Sequence, residues 1–271
     1  MRTAPSEWRR ALYVGLASAA LGACGGGGGG GSIPPPGASS GDANPTGLWQ
    51  GPLTSTGDTT QRVFSVILAP DGRFAGVIAS SGTNGRFVLG TADTTLNVLS
   101  ASGTVFAQAG EGLLPNGLAS DPLTVSGATV VEHVSLKGSY TGGGESAFFE
   151  LAYEGGTSRG ASLAAIAGIY SIYPPVSGTV AATLVINNDG ALTFATDFGC
   201  NGAGTIKVID PTLDMYSWSM LLGACGGVAE HMLSGLASLS DNPRAGGSGN
   251  LIALYGATDT RELPFVFRGS K

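Results

Sequence analysis

Charge is scarce in this chain of 271 residues: only 12% are Asp, Glu, Lys or Arg, about half the share usual in soluble domains. Histidine is nearly absent, with His133 and His231 the full complement. Cysteine occurs three times, at 24, 200 and 225. No apolar stretch approaches the length of about 20 residues that a membrane-spanning helix needs. No segment keeps a helical period over three turns, and 162–166 is the best helix candidate, a turn or so long. These shortages exclude much. An acidic chain (net −6) with no basic cluster lacks the electrostatic footprint of a nucleic-acid partner or of docking to anionic lipid. Three cysteines and two isolated histidines do not make a zinc site. Gly-x-Ser-x-Gly occurs at 37–41 and 156–160, but in Gly- and Ser-rich stretches with no long helix behind either to make a nucleophile elbow, and no Asp-x-Asp-x-Asp-Gly calcium spacing occurs. The reading is no catalytic residue, no metal and no cofactor.

Glycine is abundant instead, 46 residues in all, and it is not spread evenly. Arg2, Arg9 and Arg10 precede a short run of small and apolar residues at 11–20. That run ends in Leu21-Gly22-Ala23-Cys24, and seven glycines, 25–31, follow directly. The n-region charge and short apolar core read as an export signal. Its Leu-Gly-Ala-Cys ending resembles a bacterial lipoprotein signal, which implies removal of residues 1–23 and lipid attachment at Cys24. The plainer alternative is an ordinary secretory signal cut near Ala23, with Cys24 incidental. Gly25, with no aspartate there, resembles the pattern sorted to the outer membrane. Several acyl chains on one cysteine hold far better than the marginal grip of a single chain. Residues 24–45, rich in Gly, Ser and Pro, are expected to form a disordered tether of roughly 25 Å reach.

Without residues 1–23 the chain carries 10 basic and 18 acidic residues, net −8. With Cys24 lipidated, Cys200 and Cys225 remain as a pair in an oxidising compartment, where a disulfide is the default.

From Gly47 onward β-branched runs alternate with turn residues. Strand-like residues 63–68 and 73–78 flank Pro70-Asp71-Gly72, and 179–186 and 192–194 flank Asn188-Asp189-Gly190. Asp-Gly between such runs is a strong hairpin signal. The two hairpins belong to an internal duplication. Gly82-Thr83-Asn84-Gly85 matches Gly199-Cys200-Asn201-Gly202, Asp93 matches Asp210, and Ser100 matches Ser217, all at one ungapped spacing. Gly47-Leu48-Trp49 faces Gly168-Ile169-Tyr170. Glu132-His133 pairs with Glu230-His231 if the first copy holds about 19 extra residues near 106–123. The expected organisation is all-β: module 1 at 46–162 and module 2 at 163–271, each a small up-and-down antiparallel barrel of about eight short strands, closed so that no edge is exposed.

Gly-x-aromatic after a single helical turn resembles the opening of lipocalin and avidin-type barrels. An anchor followed by two barrel-like copies resembles transferrin-binding-protein lipoproteins. Gly199-Cys200-Asn201-Gly202-Ala203-Gly204-Thr205-Ile206 resembles a strand of uncharacterised proteobacterial lipoproteins. These resemblances imply an architecture and carry no binding residues across.

Tyr216, Trp218 and Met220 alternate with Ser217 and Ser219, so they share one strand face. That face is either core filling or the wall of a small apolar pocket. Glu132 and His133, as strand neighbours, would point apart and share no pocket. The functional expectation is a non-enzymatic binding or interaction module, anchored at the outer membrane through lipid on Cys24, with an envelope or host protein as partner. The alternatives are a structural envelope protein without a soluble ligand and a small-ligand-binding barrel.

Overall fold

The computed structural model describes residues 42–57, 61–79, 85–107, 112–154, 160–172, 181–223, 225, 230–242, 247–261 and 264–271. The signal at 1–23, Cys24, the tether up to residue 41, and the motif positions 82–84 and 179–180 lie outside the described residues.

The β-branched runs form sixteen strands. The first eight are β1 (Gly47–Ser55), β2 (Gln61–Leu68), β3 (Arg73–Ala79), β4 (Arg86–Thr95), β5 (Val98–Ala107), β6 (Ser120–Val131), β7 (Ser135–Gly142) and β8 (Glu145–Tyr153). They pair in sequence order, all antiparallel, and β8 returns to β1 to close a barrel. One turn of helix follows, α1 (Leu163–Ile166), with Ser162 capping it by accepting from Ala165 N. The second set is β9 (Gly168–Ile172), β10 (Ala182–Ile186), β11 (Ala191–Thr196), β12 (Asn201–Asp210), β13 (Met215–Leu222), β14 (His231–Asn242), β15 (Gly247–Thr258) and β16 (Pro264–Ser270). It too closes, β9 lying between β10 and β16. The protein is therefore all-β, two eight-stranded antiparallel barrels in tandem. Closure leaves neither barrel a free edge to template pairing with another chain.

The two barrels repeat each other down to single hydrogen bonds. Trp49 Nε1 donates to Pro45 O at 2.7 Å, and Tyr170 OH donates to Ile166 O at 2.8 Å. In the Asp-Gly hairpins Gly72 and Gly190 sit at φ 80° and 84°, where a side chain would be strained. Their carbonyls accept from Ala92 N and Ile206 N respectively.

Those bonds also correct the register of the duplication. Phe74 faces Gly90 and Leu192 faces Gly204, so β4 matches β12 three residues earlier than the ungapped spacing. Asp93 is not the counterpart of Asp210, because a slip of three would turn every inward residue outward. The ungapped spacing does hold for β5 and β13: Gly90 faces Gly103 as Gly204 faces Met220. The difference of three is taken up by the longer turn at Pro211 to Asp214, two residues more than its counterpart, and by a one-residue bulge at Ile209. Consequently Arg86, not Thr83, is the counterpart of Cys200: Arg86 faces Ile78, and Thr196 N donates to Cys200 O.

The Glu-His pairing fails as well. Asp121 faces Val105 as His231 faces Leu222, which makes the first copy's loop longer by about seven residues rather than 19. Glu132 and His133 occupy the β6–β7 turn at the opposite end, His133 having φ 54°.

Each barrel holds its own core, and a third cluster joins them. Ile67, Ala75, Val77 and Phe87 on the outer face of β2–β4 pack with Met215, Leu236, Ala253 and Tyr255 on that of β13–β15. Phe87 stacks on Tyr255 at 6.0 Å. β3, buried on both faces from Phe74 to Ile78, accordingly reads as a continuous apolar run rather than an alternating one. Matching positions in the other copy are polar or exposed: Thr193 for Ala75, Asn201 for Phe87, Lys137 for Ala253, Ser139 for Tyr255. The contact is heterologous, and the equivalent faces of the other copy do not repeat its apolar surface.

Candidate functional site

Arg62, Arg86 and Glu145 account for the most unusual feature of an otherwise charge-poor chain. All three are gathered at one end of the first barrel. Strand alternation turns Arg62 and Arg86 inward at the starts of β2 and β4, level with Ser55 at the end of β1. Glu145 opens β8, just after the tight Gly143-Gly144 turn. Glu145 receives a salt bridge from Arg62 at 3.0 Å and another from Arg86. It also accepts from Ser55 Oγ at 2.9 Å and from Tyr140 OH. Arg62 reaches Ser55 too, and Arg86 Nη1 lies 3.4 Å from Tyr140 OH. The side chains of Arg62, Arg86 and Glu145 are 7, 8 and 11% exposed.

Burial opposes ionisation of Glu145. The hydrogen bond from Tyr140 and the two guanidiniums outweigh it and hold the carboxyl below its usual range. Burial first, then the Glu145 charge, pushes the Tyr140 phenol up. Two cations share one anion here, so the cluster keeps a net positive charge, and Arg62 Nε has no partner among the described residues. Such a cluster, once formed, makes the loss of any member costly. Leu114, buried in the 112–119 loop, packs with this barrel's core beside Gly143.

Beneath the cluster lies a cavity of about 30 Å³ with a wholly apolar lining, to which Phe64, Val88, Ala101, Val125, Tyr140 and Phe149 contribute. One or two water-sized spheres fill that volume. Pockets for small organic ligands run about 300–1,000 Å³.

The residues singled out in sequence lie in the other barrel. Tyr216, Trp218 and Met220 all point inward from β13, as their alternation implies, and all are buried in its core. They pack there among Leu233, Ile252 and Phe265. Trp218 packs on Phe265 at 5.3 Å and donates from Nε1 to Leu236 O at 3.1 Å. A Cβ on Gly256 would stand 2.5 Å from Trp218 Cζ2, so glycine at 256 makes room for the indole. Across the same level the first barrel carries Ala101, Val125, Tyr140 and Ala147 where the second carries Trp218, Gly235, Gly256 and Phe265. The cavity borders Ala101, the counterpart of Trp218.

Cys200 and Cys225 form the expected disulfide, Cα atoms 4.6 Å apart, at the second barrel's corresponding end. Asp210 makes a turn, accepting from Thr212 N at 2.8 Å. The His133 ring lies tilted against Tyr153, centroids 4.7 Å apart, and no group of three or more potential metal ligands occurs among the described residues. Burial, aided by the nearby Asp214 charge, lifts the Tyr170 phenol to about 12, and the same two causes raise that of Tyr216. Sequence reasoning missed the ion cluster because its members are 83 residues apart at the extremes (Arg62 to Glu145). The available signal was an arginine at an inward position of two apolar strands, Arg62 before Phe64 and Arg86 before Val88.

Fold and site together define a class: a tandem all-β barrel protein whose first barrel carries a buried ion cluster at one end and whose second carries a disulfide at the corresponding end. No family model, no curated protein and no solved structure matches the chain.

Proposed function

We propose that this chain is a lipid-anchored protein of the bacterial outer membrane that works as a non-enzymatic interaction module through the outer surfaces of its barrels. The observation that supports this reading is the filled interior. The one cavity described in the first barrel is an order of magnitude smaller than a small-molecule pocket, and Trp218, Tyr216 and Met220 occupy the centre of the second. A barrel with a filled interior has only its surface and loops to offer a partner. The Leu21-Gly22-Ala23-Cys24 signal and the glycine tether carry the anchoring part of the proposal, as resemblance and composition. The competing small-ligand reading requires the interior to open, and the purely structural reading requires no partner at all.

Two measurements decide. In bacterial cells the wild-type chain should take up labelled palmitate and float with membranes, and Cys24→Ala should do neither. Label retained by Cys24→Ala would end the anchoring claim. Purified protein should show no saturable rise in melting temperature with small apolar molecules or their acids, and such a rise would favour the ligand-binding barrel instead.

A further inference from the structure

We propose that the barrel-one tip made by the β4–β5 and β6–β7 turns rests in the interface of the lipid bilayer to which the chain is tethered. This rests on the lipid-anchored reading above. Four aliphatic side chains crowd that tip: Leu96 is 80% exposed, Val134 60%, Val131 48% and Val98 43%. They are neighbours by register, since Val98 pairs with Thr129 and Val130 N donates to Asn97 O at 2.9 Å. Hairpin tips in water are ordinarily polar.

The backbone sharpens the point. Leu96 and Asn97 both hold left-handed conformations, φ 51° and 62°. That two-residue turn favours Gly, Asn or Asp at both places. Asn97 suits it. Leu96 bears the steric cost and buries nothing within the protein, so its side chain is accounted for only by something outside.

The path of the chain names the occupant. Asp42 accepts from Leu96 N at 2.6 Å, and Asn97 accepts from Ala43 N at 2.7 Å. The first described residues thus cross this tip. Only residues 25–41 separate it from Cys24, and the reach expected from their Gly-, Ser- and Pro-rich composition is about 25 Å. An anchor at Cys24 therefore holds this tip close to the bilayer at high effective concentration. Asp42 and Glu132 flank the aliphatics, so anionic headgroups are disfavoured and the contact is apolar, with zwitterionic lipid. Met215, the counterpart of Val98, is buried against the other barrel, whereas Val98 has no such cover.

The experiment supplies the tether chemically, so that it does not depend on lipidation in cells. The chain from Cys24 to Lys271 is coupled through Cys24, the one thiol outside the disulfide, to a maleimide-headgroup lipid in phosphatidylcholine vesicles. Leu96→Trp, and separately Val134→Trp in case the first misfolds, reports the tip. Phe198→Trp, at an exposed turn of the other barrel, is the control, and the native Trp49 and Trp218 are buried. With brominated phosphatidylcholine the tip variants should lose about half their added emission and shift to the blue, as for a side chain 5–10 Å into the interface, and Phe198→Trp should not change. Equal quenching of tip and control, or quenching of neither, overturns the proposal. So does a blue shift of Leu96→Trp in vesicle-free solution that grows with protein concentration, which would assign the tip to a second copy of the chain. Failure of palmitate labelling at Cys24 refutes the anchored reading alone and leaves the vesicle result standing.

Discussion

The two barrels solve one problem in different chemistry. At the end where β4 and β12 begin, the first places Arg86 and the second Cys200, at the same register position. One end is closed by a carboxylate shared between two arginines, the other by a covalent cross-link. The interiors differ in step. Large and small residues have traded strands, Phe64 and Gly76 in one against Ala182 and Phe194 in the other. A barrel of eight short strands needs its volume filled but does not specify which strand supplies the bulk. Duplicated cores can therefore diverge in pairs, while the hairpin turns and the Trp49 and Tyr170 hydrogen bonds, which set backbone path, stay alike.

The largest effect that would test this comparison is Glu145→Gln. It leaves two guanidiniums buried without their counter-ion, at a cost of about 3–5 kcal/mol. Trp49 emission should report that loss in denaturant, and Trp218, in the other barrel, should move far less. If the variant does not accumulate, adding Arg62→Met and Arg86→Met should restore it, since replacing a whole buried ion cluster by apolar groups is often neutral or better. Unchanged stability for Glu145→Gln would show that the cluster is incidental to closure.

Next in size is Cys200→Ser. The bond spans a separation of 25 residues, and losing it should cost about 3.5 kcal/mol in the chain-entropy model. Here Trp218 should report the loss and Trp49 should be the bystander. A larger change at Trp49 would mean that the barrels unfold as one unit through the Phe87–Tyr255 contact.

The smallest effect expected is that of acid. The carboxyl of Glu145 is held below its ordinary value of 4.5, so the ionised form favours the folded barrel. That stability is present above the unfolded value and is lost as pH falls through the folded one. The Trp49 midpoint should therefore drop below about pH 4.5, more than the Trp218 midpoint, because the disulfide does not titrate. Parallel pH profiles for the two tryptophans would break the distinction.

Strand identity, the Asp-Gly hairpins, the single helical turn at 163–166, the disulfide and the duplication were all legible in the residues. They are local signals, or differences between two copies of one pattern, and alternation alone placed Tyr216, Trp218 and Met220 on an inward face. Other features waited on the fold. Single-sequence matching put β4 and β12 out of step by three residues, because short Gly- and Thr-rich strands match well in several registers and only cross-strand hydrogen bonds choose between them. Glu132-His133 and Glu230-His231 are alike as words yet lie at opposite barrel ends. Whether the aromatic face was core or pocket turned on what stood opposite it, Gly235 and Gly256 across from Trp218. The ion cluster depended most on tertiary structure: closure of β8 onto β1 brings Glu145 to Arg62 and Arg86. Local sequence determined which segments are strands and where they turn, because those choices rest on backbone preferences and a period of two. Which side chains meet inside was decided by closure, because only a finished barrel sets every strand against its neighbours and removes the charges between them from water.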